Sequence, residues 1–132
     1  MKKFLFLLSV LLVTVSFGQT AEVYNAKGNT KRYLKDYRGA IVDFTKAIEL
    51  DPTNVYYYYN RGKAKGLAED YRGAIVDFTK AIELDPTNGY YYSHRALAKY
   101  ALSYIDGACL DWSKAGELGE ADAYEYIKKY CN

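Results

Sequence analysis

The sequence predicts an all-α solenoid: antiparallel helix pairs stacked in a row and closed by a capping helix. Three observations carry that prediction. First, the nineteen residues Asp36–Asn54, DYRGAIVDFTKAIELDPTN, return letter for letter at Asp70–Asn88, 34 residues later. A divergent copy, IDGACLDWSKAGELG, holds the same phase at Ile105–Gly119. Self-similarity at a fixed spacing of this size marks a repeat array. Second, Ala40, Ile41, Phe44, Ala47 and Ile48 recur at helical spacing and form one apolar face, with Asp43, Lys46 and Glu49 off it. Third, each copy ends on a helix stop. Pro52 and Pro86 lack an amide hydrogen and push the residue before them out of helical geometry, and Gly119 ends the third copy.

The chain opens with Met1-Lys2-Lys3, then an apolar run from Phe4 to Val15 broken only by Ser9 and Thr14, then Ser16-Phe17-Gly18. A basic start, an apolar core and small residues before a cut describe a secretory signal peptide, residues 1–18, cleaved before Gln19. The rival reading is a membrane anchor. As a helix, Phe4–Phe17 would reach about 21 Å, short of the roughly 30 Å hydrocarbon core. No cysteine stands at the cut to carry a lipid. The expected product is exported, periplasmic or secreted, with no membrane span. Its 114 residues hold 16 basic and 16 acidic side chains, which gives no electrostatic case for nucleic acid.

The elements follow in order. First helices of each pair are expected at Ala21–Leu34, Val55–Ala68 and Tyr90–Leu102, the later two opened by the capping pairs Thr53-Asn54 and Thr87-Asn88. Second helices are expected at Arg38–Leu50, Arg72–Leu84 and Asp106–Leu118. Gly28, Gly62 and Ala96 recur every 34 residues and allow close approach, with Ala40, Ala74 and Ala108 as small partners. A last helix, Ala121–Tyr130, sets Ala123, Tyr124, Ile127 and Tyr130 on one side and caps the stack. The divisions are therefore 21–54, 55–88, 89–120 and a cap at 121–132. With the last turn near Gly119, Cys109 and Cys131 fall level on neighbouring helices, and an exported chain permits the disulfide between them.

Little in the chain suggests catalysis. His94 is the only histidine, so no second imidazole is present to share a metal. Ser93 and His94 are neighbours whose side chains diverge by about 100° on a helix. The glycines fall at repeat spacing and form no phosphate-cradling loop. No enzyme activity, cofactor or metal is expected. Asp43, Asp77 and Asp111 form a ladder at 34-residue spacing, as do the basic residues Lys27, Arg61 and Arg95. Ion pairs between the ladders are expected, each below about 1 kcal/mol if exposed; a divalent-ion ladder is the alternative. Seven of the sixteen tyrosines fall in two runs, Tyr56–Tyr59 and Tyr90–Tyr92. Tyr58 and Tyr92 are expected to pack. Tyr56, Tyr59 and Tyr90 are expected to face a groove, either stacked between repeats or presented as a binding plate.

The repeat resembles the tetratricopeptide family. Its 34-residue pattern is met by Tyr24, Gly28, Ala40, Phe44, Ala47 and Pro52, and again by Tyr58, Gly62, Ala74, Phe78, Ala81 and Pro86. The third repeat gives Tyr92, Ala96, Ala108, Trp112 and Ala115, with Glu120 in place of proline. The resemblance implies a right-handed superhelix with a concave groove lined by the first helices. Departures include Lys31, Lys65 and Lys99 at an aromatic position, and Lys35, Glu69 and Ser103 at a turn glycine, which suggest a polar, less rigid array. Family members that clamp a peptide's terminal carboxylate use Lys, Asn, Asn, Lys and Arg; the matching positions are Asn25, Asn29, Asn60, Tyr90 and His94. Both asparagines are kept and every cation is lost, which argues against an acidic peptide tail. The reading is a non-catalytic scaffold of the cell envelope or exterior. It holds a protein or peptide partner along Asn25, Asn29, Tyr56, Tyr59, Asn60, Lys63, Tyr90 and His94. A self-associating structural component and a glycan-binding surface are the alternatives.

Overall fold

Seven helices account for almost all of residues 20–132, the part of the chain that the computed structural model describes. The expected signal peptide lies outside these residues. The helices are α1 (20–33), α2 (Tyr37–Leu50), α3 (Val55–Leu67), α4 (Tyr71–Leu84), α5 (Gly89–Ala101), α6 (Ile105–Glu117) and α7 (Asp122–Tyr130). From α2 onward each helix packs on the next, and α3 also meets α5. No strand occurs among the described residues, and none of their helices is long and apolar enough to cross a membrane.

The turns within pairs repeat one device. The amide of Lys35 donates to the Arg32 carbonyl and that of Asp36 to the Lys31 carbonyl. The same two bonds recur at Glu69 and Asp70, at Ser103 and Tyr104, and at Gly119 and Glu120. This double bond closes the helix end and requires a left-handed residue. Lys35, Glu69 and Ser103 adopt it at φ 63°, 64° and 64°, and Gly119 at 94°. The polar residues at the turn-glycine positions thus keep the turn. Asp36 and Asp70 then cap the next helix at once, each accepting from the amide three residues on at 3.0 Å. Between pairs, Asn54 and Asn88 cap α3 and α5 by accepting from the amides of Tyr56 and Tyr90.

Packing departs from expectation in several places. The partners of Gly28 and Gly62 are aromatic rings. A Cβ on Gly28 would fall 2.7 Å from Phe44 Cε1, and one on Gly62 2.8 Å from Phe78 Cε1. Ala40, Ala74 and Ala108 are fully buried beside these rings or, in the third repeat, beside Trp112. The buried tyrosines also include two that periodicity passed over. Tyr57 packs with Ala21 and Ala47, and Tyr91 with Tyr58 and Ala81, sealing each repeat to the next. Tyr92 is only half-buried. At the far end α7 covers the fully buried Trp112. Tyr126 stacks on the indole at 5.3 Å and Tyr130 at 5.8 Å, while Tyr124, expected on the packing side, is exposed. Cys109 and Cys131 form the expected disulfide, with Cα atoms 5.8 Å apart, a spacing typical of such bridges.

The charge ladders meet, but buried and with more members. Asp77 is 1% exposed. It accepts from Arg61 Nε at 2.9 Å and Nη2 at 2.7 Å, and lies 3.1 Å from Lys65 Nζ. Asp111 is held the same way by Arg95 and Lys99. Arg61 and Arg95 each donate a further bond to Thr45 or Thr79 of the preceding repeat, at 3.2 Å. In the first repeat Lys27 does not pair with Asp43. Lys31 does, at 2.8 Å, and the Lys27 ammonium lies 5.5 Å from the Tyr24 ring centre. The lysines at the family's aromatic position are therefore ion-pair partners. Removing one partner of a buried pair strands the other. Asp77→Ala is expected to cost roughly 3 kcal/mol in urea unfolding. Glu83→Ala, which breaks the exposed Lys80–Glu83 pair, is expected to stay within about 0.5 kcal/mol. Equal effects would contradict the assignment.

Candidate functional site

The first helices of the three pairs, α1, α3 and α5, bring most of the expected groove residues together. Asn60 Nδ2 donates to Asn25 Oδ1 at 3.0 Å, tying α3 to α1. Asn29 Oδ1 accepts from Arg32 Nη2 at 3.2 Å. An amide has two donors and an acceptor oxygen, so each asparagine keeps capacity for a ligand backbone. Tyr59 stands at a junction of rings, 5.0 Å from Tyr91, 5.2 Å from His94 and 6.0 Å from Phe78. Tyr59 therefore packs between repeats. Tyr56 and Tyr90 remain 62% and 59% exposed at the starts of α3 and α5.

Beside that junction opens a cleft of about 360 Å³. Its walls come from three repeats: Arg32 of α1; Gly62, Lys63, Gly66 and Leu67 of α3; Tyr71 and Phe78 of α4; His94, Leu97 and Ala98 of α5. Lys63 and His94 were legible as groove residues; Arg32, Leu67 and Leu97 were not. Aligning the repeats exposes the signal. Asn29, Lys63 and Leu97 share one register, and Arg32, Gly66 and Tyr100 another. The cleft lies where the repeats differ. Gly66 keeps it open, since a Cβ there would meet only Ala74 Cβ, at 4.0 Å.

The site's electrostatics follow from burial. The Lys63 ammonium lies 4.2 Å from the Tyr59 ring centre, a favourable cation–π placement. Burial nevertheless lowers its pKa to about 8, with the positive charge of Arg32 adding to the effect. Burial also pushes the Tyr59 phenol up to about 12 and disfavours charge on His94. The His94 Nδ1–H donates to the Tyr90 carbonyl at 2.9 Å, leaving Nε2 as the acceptor of the neutral ring. Among the described residues, no carboxylate pairs with Arg32 or Lys63. The Arg32 Nε is buried and bonds to nothing there. No three His, Cys, Asp or Glu side chains gather as a metal set among these residues.

Comparison with known proteins adds to this geometry. Residues 28–66 match the family model for the TPR repeat and residues 55–88 that for the tetratricopeptide repeat. The first TPR of Spaghetti (RPAP3), bound to the HSP90 peptide SRMEEVD, superposes with a TM-score of 0.82 at 28% identity, over 86% of this chain and 92% of that one. The Arabidopsis OM64 TPR domain gives 0.79 at 29% identity, over 86% and 98%. The second TPR domain of the human RPAP3 protein, in complex with the HSP70 peptide SGPTIEEVD, gives 0.81 at 26% identity, over 86% and 97%.

The lowered Lys63 pKa gives a direct test. Below about 8 the amine is charged in both folded and unfolded chains, and its burial weakens the fold by a constant amount. Between about 8 and 10.5 the unfolded chain holds a proton that the folded chain has shed, so this group's penalty fades as pH rises. Lys63→Met is expected to raise the Tm at pH 7 and to raise it less at pH 10, in melts followed by circular dichroism. A gain as large at pH 10 as at pH 7 would contradict the assignment.

Proposed function

Because the chain is a tetratricopeptide-repeat protein, we propose that it is a non-catalytic scaffold that holds an extended segment of a partner protein in its concave groove. The observation that carries this reading is the cleft itself. It is walled by residues of all three repeats, with apolar sides and half-buried cations that nothing in the described chain neutralises. Asn25, Asn29 and Asn60 supply amides for the ligand backbone, and the exposed Tyr56 and Tyr90 supply plates at its margin. Structural neighbours that carry HSP90 and HSP70 peptides support a peptide as the ligand class. The N-terminal pattern supports a setting in the envelope or outside the cell, and the exported chain is then expected to begin at Gln19.

A second reading, self-association, draws on one observation. Val42, Val76 and Leu110 share a register on the second helices and are 55%, 66% and 74% exposed. Capture from envelope extracts separates the two, with wild type compared against Gly66→Leu, Asn60→Ala and Tyr90→Ala. Gly66→Leu fills the cleft while improving helix propensity by up to about 1 kcal/mol, so its Tm is not expected to fall. One protein captured by wild type and lost with Gly66→Leu is the expected result. Binding retained by all three variants, or a mass that grows with concentration and no captured protein, would overturn the groove reading.

A further inference from the structure

We propose that the cleft between α1, α3 and α5 takes an acidic side chain from within the bound segment, flanked by an aliphatic one, with Arg32 and Lys63 as its anion-binding pair. The inference rests on the groove reading above and names its ligand chemistry.

Apart from Lys80, which pairs with Glu83, the half-buried cations of this array fall into two groups. Lys31, Arg61, Lys65, Arg95 and Lys99 all lie against the buried aspartates Asp43, Asp77 and Asp111 at 2.7–3.1 Å. Among the described residues, Arg32 and Lys63 lie against no carboxylate, although both line the cleft. Arg32 uses Nη2 on Asn29, and its buried Nε has no acceptor among the described residues. A guanidinium has five donors and an ammonium three, so most of this capacity is free. Burying a charge is unfavourable unless it is paired and hydrogen-bonded. A ligand carboxylate removes that penalty at both residues together, in a geometry that suits arginine's planar fork.

Two further features narrow the ligand. Leu67, Phe78, Leu97 and Ala98 give the same cleft apolar walls, which take an aliphatic neighbour of the acidic residue. The cation pair also sits three residues along from Asn29 and Asn60. The family's positions for a chain terminus carry Tyr90 and His94 here, and burial disfavours charge on His94. The carboxylate is therefore that of an aspartate or glutamate side chain within the segment.

The test is a positional-scanning library of N-acetylated, C-amidated hexapeptides, read by fluorescence polarisation. It is run on wild type, Arg32→Gln, Lys63→Gln and the double variant, with circular dichroism confirming each fold. The expected result is a preference of about tenfold or more for Glu or Asp over Gln or Asn at one position beside Leu or Ile. That preference is expected to disappear in the double variant while neutral peptides bind all four proteins alike. Binding without an acidic preference, a preference kept by the double variant, or one seen only when a free C-terminal carboxylate is restored, each overturns this inference and leaves the groove reading standing. No binding by any peptide overturns both.

Discussion

One buried contact, made twice, sets the geometry of the stack. Arg61 reaches from α3 to Asp77 on α4 with two parallel bonds and to Thr45 on α2 with a third. Arg95 does the same from α5 to Asp111 on α6 and Thr79 on α4. A single planar group thus fixes the angle within its own helix pair and the offset from the pair before it. Lysine has no such fork, and among the described residues the first repeat, with Lys27 at that position, makes no equivalent bridge. Such pairs add little net stability over a well-packed apolar core. Their effect here is geometric: they tie α3 to α2 and α4, and α5 to α4 and α6.

The groove inherits its shape from that arrangement and its chemistry from where the repeats differ. The duplicated stretch Asp36–Asn54 and its copy supply second helices, turns and stops, so nothing in them distinguishes one repeat from another. The first helices diverge. At one register the chain changes from Asn29 to Lys63 to Leu97, which turns a uniform wall into a polar, then cationic, then apolar one. Gly66 leaves room in front of it. The cations beside the buried aspartates are neutralised from within, whereas among the described residues the half-buried Arg32 and Lys63 meet no carboxylate. A destabilising charge retained in a cleft points to a ligand.

Much of this was legible in the sequence because the repeat forces it. Spacing fixed which helices pair, that Asp77 and Asp111 would face Arg61 and Arg95, and that Cys109 and Cys131 would lie level. Other features needed coordinates. Four consecutive tyrosines carry no periodicity, so the buried Tyr57 could not be told from the exposed Tyr56. Asp43 keeps the lysine partner that Asp77 and Asp111 have, Lys31, but not the expected Lys27, whose ammonium lies by the Tyr24 ring. The cleft stayed hidden because Arg32, Leu67 and Leu97 lie on three different helices. Their convergence is a property of the superhelix and of no single segment.

The most direct test of the central claim is amide chemical-shift mapping of the isotope-labelled chain with its best-bound amidated hexapeptide. If the concave face holds the ligand, perturbations concentrate on α1, α3 and α5, at Arg32, Lys63, Leu67 and Leu97, and leave Val42, Val76 and Leu110 still. Perturbations centred on those outer residues, or on α7, would contradict the account.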